Sequence, residues 1–279
     1  MANSLSEKIA IVTGGGSGIG EGLCRELARR GARVIVADVN RAEASRVATA
    51  IASHGGRAAA GTVDVSSAEQ VTRLVEETAA GYGRLDYMFN NAGFAIGGDF
   101  RDLSLEHWRR VLDVDLYGVL HGMHAAYPIM AGQGFGHIVN TSSAAAFFAA
   151  PGNAPYCTAK YALVGLSLSL RLEGIDLGVK VSCICPGFVR SNVYRNAEVA
   201  GMTLPAGVPR EQVAGAPAKM MEPERAAQVI LDGVARNQAL IVFPAAIRWA
   251  RRLDRVAPGI SDRILLRQMR RTRRYRTAG

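Results

Sequence analysis

A tyrosine and a lysine four residues apart, Tyr156 and Lys160 in YCTAK, are the residues of this chain whose types and spacing suggest chemistry most directly. On a helix that spacing puts the phenol and the ammonium on one face within mutual reach. A phenol with an ordinary pKa near ~10 is a poor base in neutral water, but a unit positive charge at roughly 4 Å, at an effective dielectric of ~20, favours the phenolate by up to ~4 kcal/mol. That corresponds to as much as ~3 pKa units, enough to bring the phenol into the range of acid–base catalysis. Taken alone, a YxxxK pair is more often a solvated pair on a helix surface. Ser143, 13 residues before Tyr156, ends IVNTSS and adds a hydroxyl donor.

These side chains need elements to bring them together. Seven β-branched runs, at 8–12, 33–37, 58–65, 85–90, 137–142, 179–184 and 239–243, alternate with helical patterns at 20–30, 41–53, 68–80, 105–130, 156–173 and 223–237. This is the pattern of repeated βα units. It predicts an α/β fold, a Rossmann-type, doubly wound, seven-stranded parallel sheet with helices on both faces. Ser143 then falls at the C-terminal edge of the fifth strand, the edge where open α/β sheets bind ligands. The stretch 188–222 has no clear period and reads as a lid or binding loop.

TGGGSGIG at 13–20 follows the first strand and opens the first helix, where glycines let the backbone approach a pyrophosphate and the helix start offers N–H groups. Gly14, Ser17, Gly18, Ile19 and Gly20 are the candidate phosphate-loop residues; the strict G-x-G-x-x-G spacing is absent. Asp38 ends the second strand 18 residues beyond Gly20, where a carboxylate accepts from both hydroxyls of an adenosine ribose. A 2'-phosphate would meet like charge there, so NAD is favoured over NADP, although Arg41 leaves the phosphorylated cofactor open. Asp64 and Val65, at the end of the third strand, are candidates for the adenine side; a helix cap by Asp64 or Ser66 explains the aspartate equally well.

In order, TGGGSGIG, NNAG at 90–93, TSS ending at Ser143, YCTAK and PGFVRS at 186–191 resemble the motif set of the short-chain dehydrogenase/reductase family over residues 6 to about 243. The resemblance implies hydride transfer between a nicotinamide cofactor and a carbinol or carbonyl carbon. By it, Tyr156 is the general acid/base, Lys160 tunes it and binds the nicotinamide ribose, and Ser143 hydrogen-bonds the substrate oxygen. Asn91, Ala92 and Gly93 would run beside the adenosine. Pro186, Gly187, Val189 and Ser191 would hold the carboxamide, with serine in place of the more usual threonine. Relatives commonly carry an asparagine in the long helix before strand five, holding a water that leads from the lysine to solvent; this chain has Asp115 there, whose charge would offset part of the lysine's field. The resemblance also implies a homodimer or homotetramer, assembled through 105–130 and 156–173.

Apolar residues expected to face the nicotinamide are Phe94, Ile96, the run 144–150 with Phe147 and Phe148, then Phe188, Val193, Tyr194, Met202, Leu204, Met220 and Met221. They suit a lipophilic secondary alcohol or ketone rather than a sugar. The chief rival from another class is a dinucleotide-binding scaffold or redox-responsive partner protein without catalysis, which would have no need of Ser143, Tyr156 and Lys160 together. Sugar epimerisation or dehydration on the same fold would usually come with a longer C-terminal substrate domain and a differently spaced glycine loop, and neither is expected from this sequence.

With 49% hydrophobic and 20% charged residues, the composition excludes disordered and collagen-like classes. The four cysteines, Cys24, Cys157, Cys183 and Cys185, have no metal-finger spacing and read as reduced, mostly buried thiols. The start of the chain shows no charged lead, apolar core or cleavage site, so a cytoplasmic location is expected. All of the net charge of +9 lies in residues 245–279, which hold 11 arginines and 2 aspartates. The chain therefore divides into a dinucleotide-binding and catalytic domain, 1–244, and a basic amphipathic extension, 245–279. In the extension, Arg248, Arg251, Arg252 and Arg255 form one stripe and Ala246, Trp249, Ala250, Leu253 and Val256 another. That pattern fits packing on the same or a neighbouring subunit and equally fits peripheral contact with an anionic membrane; no nucleic-acid partner is expected.

Overall fold

The computed structural model describes residues 5–191, 193, 197–203, 216 and 220–277. In chain order the strands are β1 (Ile9–Thr13), β2 (Arg33–Asp38), β3 (Arg57–Thr62), β4 (Tyr87–Asn90), β5 (Ile96–Gly98), β6 (Gly136–Thr141), β7 (Val179–Pro186), β8 (Glu198–Ala200) and β9 (Leu240–Phe243). The helices are α1 (Gly18–Arg29), α2 (Arg41–Ser53), α3 (Ala68–Tyr82), α4 (Leu105–Leu112), α5 (Gly118–Gln133), α6 (Ala154–Glu173), α7 (Pro223–Ala235), α8 (Ala245–Val256) and α9 (Pro258–Thr272).

Seven strands form one parallel sheet in the order β3-β2-β1-β4-β6-β7-β9, the doubly wound architecture expected. Its strands bury both faces because alternate side chains point to opposite sides. On β1, Ala10 and Val12 join a core closed by Leu23 and Leu27 of α1, Val47 and Ile51 of α2, and Ile230 of α7. Ile9 and Ile11 join the opposite core, closed by Val71 and Val75 of α3, Met123 and Met130 of α5, and Leu163 of α6. The strand order reverses between β1 and β4, so a crevice opens beyond their C-terminal ends.

Three local departures from the sequence reading matter for the site. First, the strand expected over 58–65 leaves the sheet at Thr62, and the cap of α3 is neither Asp64 nor Ser66: the Ser67 hydroxyl accepts from Gln70 N at 3.3 Å. Asp64 instead holds Ser66, accepting from its N at 2.9 Å and its hydroxyl at 2.7 Å. Second, the helix expected over 105–130 is interrupted by a π-helical turn, Asp113–Tyr117, between α4 and α5. The wider turn carries Asp115, which is fully buried. Third, β5 and β8 form a small parallel pair of their own above a satellite cluster of Ile96, Leu103, Val111 and Ala200.

The extension is seated on that small pair. Arg273 Nε lies 2.9 Å from Asp99 Oδ2, and Arg276 grips Asp102 with two bonds of 2.8 Å. Thr203 N donates to Tyr275 O at 3.1 Å and Thr277 N to Gly201 O at 3.1 Å. Asp99 is buried and also receives Arg101, so the two guanidiniums hold its carboxyl far below the usual carboxylate range. The stripes of α8 do not divide as expected. Ile247 and Arg251 are partly buried, with the Arg251 guanidinium 4.1 Å from the Phe147 ring centroid, whereas Trp249, Leu253 and Val256 are exposed.

Candidate active site

Along the crevice lies a cleft of about 500 Å³. Its floor is built by the turn after β1. Gly14 adopts φ +62°, and a Cβ there would come within 2.8 Å of Ala92 Cα. A Cβ at Gly20 would overlap the Gly14 carbonyl oxygen. Gly20 is thus tucked behind the loop, and it alone of the residues expected at the site does not line the cleft. Gly14, Ser17, Gly18 and Ile19 do line it. Ser17 begins α1 without a side-chain cap, which leaves the helix start and its partial positive charge turned to the cleft.

The strand ends are tied together beneath this loop. Thr13 Oγ1 donates to Phe89 O at 3.3 Å and accepts from Asn91 N at 3.0 Å and Ala92 N at 3.2 Å. The Asn91 amide donates to Thr13 O at 3.1 Å and accepts from Thr141 Oγ1 at 3.4 Å. Thr13 and Thr141 were not anticipated from the sequence, although for Thr13 its place directly before a glycine loop at a strand end was the available signal. Asp38 stands at the far end of the cleft. One of its oxygens accepts from Gly16 N and the other from Asn40 N, each at 2.9 Å. A carboxylate has about four acceptor positions, so two remain for a ligand. Asp64, Val65, Asn91, Ala92 and Gly93 line the middle, and Pro186, Gly187, Val189 and Ser191 close the other wall. A Cβ on Gly18 would lie 2.9 Å from the Ser191 Cβ, so the two walls nearly meet above the start of α1.

At the inner end stand Ser143, Tyr156, Lys160 and Asp115. Ser143 follows β6 and caps a short 3₁₀ turn, its hydroxyl accepting from Ala145 N at 3.1 Å. The adjacent Ser142 hydroxyl donates to Lys160 O at 2.7 Å and fixes α6 against β6. Lys160 Nζ donates to Thr141 O at 3.2 Å, lies 2.9 Å from Asp115 Oδ2, and is 5.3 Å from the centre of the Tyr156 ring. The other Asp115 oxygen accepts from Phe94 N at 2.9 Å.

This arrangement changes the electrostatic expectation for the tyrosine. Burial pushes the Tyr156 phenol well above its ordinary value, and the negative charge of Asp115 pushes the same way; a hydrogen bond from Ser143 opposes them. Burial also raises the Asp115 carboxyl against the pull of Lys160. The ammonium is therefore close to the phenol as the spacing requires, but it is paired with a carboxylate and does not outweigh desolvation.

A second cavity of about 420 Å³ adjoins the first, and Ser143, Tyr156, Pro186, Gly187 and Val193 line both. Its wall is apolar: Ala144, Ala145, Phe148, Ala149, Ala150, Phe188, Val193 and Met202 lie where the sequence reading put them. Phe94 lines the cleft instead, Ile96 is buried in the satellite cluster, and Phe147 turns to Arg251. Met221 is held beside Val189 by a β-bridge, packed against the main core, and Met220 does not line this cavity. Tyr194 and Leu204 lie outside the described residues. The roof was not anticipated: Ile247 and Ala250 of α8 and Ile264 and Leu265 of α9 close the cavity from the extension.

Comparison with known proteins agrees with this geometry. The short chain dehydrogenase family model matches residues 8–200. The chain is 34% identical over 234 residues to cyclohexanol dehydrogenase of Acinetobacter sp. (strain SE19), spanning 82% of this chain and 88% of that one. It is 34% identical over 196 residues to 2,5-dichloro-2,5-cyclohexadiene-1,4-diol dehydrogenase of Sphingobium indicum, covering 70% of this chain and 78% of that protein. The crystal structure of a Burkholderia phymatum protein of the same kind, in complex with NAD, superposes with a TM-score of 0.83 over 92% of this chain and 96% of that one, at 27% identity.

Proposed function

The chain belongs to the short chain dehydrogenase family, and from that premise we propose that it interconverts a lipophilic secondary alcohol and its ketone, with NAD as the cofactor. The observation that carries the proposal is the position of Ser143 and Tyr156 in the wall between a polar, glycine-floored cleft and an apolar chamber. A cofactor in the first and a substrate in the second would meet at these two hydroxyls.

The cleft fits a dinucleotide. The helix start at Ser17 and Gly18 would take the pyrophosphate and the free acceptor positions of Asp38 the adenosine ribose. Preference for NAD over NADP is supported by Arg46, whose guanidinium reaches Gly16 O at 3.0 Å but is neutralised by Glu21 and Glu43, each at 2.8 Å. A nicotinamide dinucleotide, when bound, supplies the hydride acceptor or donor. The chain's own residues hold and move the proton. Ser143 orients the substrate oxygen and Tyr156 exchanges a proton with it. Lys160, fixed by Thr141 O and Asp115, sets the field at the phenol. The raised phenol is protonated in neutral water, so in this state Tyr156 is set to give a proton to a developing alkoxide. Named relatives acting on cyclic alcohols support a ring-bearing, uncharged substrate of the size of the chamber. Exposed Tyr117, Leu120, Tyr161 and Leu172 on the adjoining π turn, α5 and α6 support pairing with a second copy through these helices.

The test is NAD-linked absorbance change across a panel of cyclic and linear secondary alcohols. Tyr156→Phe is expected to lower turnover by about 10³-fold while NAD still binds. Turnover that survives this substitution would remove the assignment.

A further inference from the structure

We infer that the outer face of α8 and α9 docks on an anionic lipid surface. The two helices have distinct sides. Inward, Ile247 and Leu265 line the chamber, Met269 is buried, Ile264 borders the chamber while 59% exposed, and the salt bridges of Arg273 and Arg276 fix the end of the extension. Outward, Trp249, Leu253 and Val256 follow one another at i, i+4 and i+7 and are 67%, 52% and 85% exposed. None of the three lines either cavity, so their exposure is to the outside of the molecule. Ile260 and Leu266 extend this exposed apolar surface onto α9.

The charge beside the stripe identifies its partner. Arg248, Arg252 and Arg255 on α8 and Arg263, Arg267 and Arg270 on α9 are exposed, and residues 245–279 hold 11 arginines against 2 aspartates. The Arg252 guanidinium lies 5.0 Å from the Trp249 ring centroid, so cation and aromatic form one surface unit. Apolar side chains that enter the acyl boundary while flanking guanidiniums meet phosphates are what an interfacial helix requires. A symmetric contact between two copies through this face would set arginine against arginine, which opposes it. A nucleic-acid backbone would answer the charge but leave the tryptophan and leucine uncovered. No helix among the described residues is long and apolar enough to cross a membrane, so the mode is lying on the surface. Docking this way also sets the chamber roof against the medium in which an apolar alcohol dissolves; that consequence rests on the dehydrogenase reading, whereas the docking itself does not.

The experiment is sedimentation of the full chain with phosphatidylcholine vesicles with and without phosphatidylglycerol, at low and high salt. Binding is expected only to the anionic vesicles and is expected to weaken with salt. Trp249→Gln combined with Leu253→Gln should reduce it by at least about tenfold, with unchanged gel-filtration mass and unchanged turnover of a water-soluble alcohol. In a Trp108→Phe protein, Trp249 is the remaining tryptophan of the two, and its emission should shift blue on anionic vesicles. The inference is overturned by equal or absent sedimentation with the two vesicles, by a double variant that binds like the parent, by a double variant with altered oligomeric mass, or by tighter binding to duplex DNA than to vesicles. For the parent chain, absence of vesicle binding with normal turnover rejects the docking alone; normal binding without turnover rejects the dehydrogenase reading alone.

Discussion

The cleft and the chamber share a wall but are built in opposite ways. The cleft is assembled at the ends of adjacent parallel strands, and its residues are tied by hydrogen bonds between side chains and neighbouring backbone: Thr13 Oγ1 to Phe89 O, the Asn91 amide to Thr13 O, Gly16 N to the Asp38 carboxylate. The chamber takes Gly97, Gly98, Glu198 and Val199 of the small β5–β8 pair into its wall, and its roof belongs to no sheet. It is closed by α8 and α9, pinned to the small β5–β8 pair through Arg273 on Asp99 and Arg276 on Asp102. Ladder hydrogen bonds fix the strands from whose ends the first region is built. The second is held at its edge by partly solvated ion pairs, whose individual contribution is modest. Cofactor binding and substrate binding are then expected to respond separately to substitution.

The largest expected effect tests the cleft alone. On the proposed reading, Asp38→Ala would remove two charge-assisted hydrogen bonds to a ribose, each worth about 1.5–3 kcal/mol, so the dissociation constant for NAD should rise by about 10²- to 10⁴-fold and any margin over NADP should collapse. KM for the alcohol should stay within about twofold, since Asp38 does not line the chamber. Fluorescence titration with both cofactors measures this. Unchanged NAD affinity would mean that the adenosine does not lie at the end of β2.

The reciprocal test loosens the roof. Asp99→Asn removes the charge that holds Arg101 and Arg273, and KM for a hydrophobic alcohol should rise by about tenfold with NAD affinity unaltered. A variant that weakened cofactor and substrate equally would show that the two regions are one cooperative unit, and the contrast drawn between them would fail.

The same contrast explains what could be read from the chain beforehand. Gly14, Gly18, Asp38, Ser143 and the YCTAK pair were legible because each is set by its place in one βα unit, and the sheet then brings the strand ends together without further information. The roof was not legible, since Leu265 reaches the chamber over a distance of more than a hundred residues from Phe148, and nothing in an amphipathic pattern says which side faces inward. On α8 one residue departs from its stripe: Arg251 stacks on Phe147, whereas Trp249, Leu253 and Val256 keep their apolar stripe on the exposed side. The π turn at Asp113–Tyr117 was hidden for another reason. One wide turn inside a helix leaves the apolar spacing on either side intact, so residues 105–130 read as one helix.

That turn supplies the smallest and most specific prediction. It buries Asp115 beside Lys160 and within the field of Tyr156, and its negative charge is one of the causes that raise the phenol. Asp115→Asn is nearly isosteric, and the new amide oxygen is still available to Phe94 N, so the local backbone should persist. Removing the carboxylate has two consequences of the same sign: the direct repulsion of the phenolate is lost, and the Lys160 ammonium is no longer neutralised. Both favour the phenolate, so the limb of the oxidation pH profile that follows Tyr156 deprotonation should move to lower pH, with turnover at a fixed pH on that limb rising by roughly threefold. Affinity for NAD and KM for the alcohol are expected to change less, because the substitution leaves both walls in place. A profile that stays where it was while turnover changes would assign Asp115 to holding Lys160 in position, and the electrostatic account of the tyrosine would then rest on burial alone.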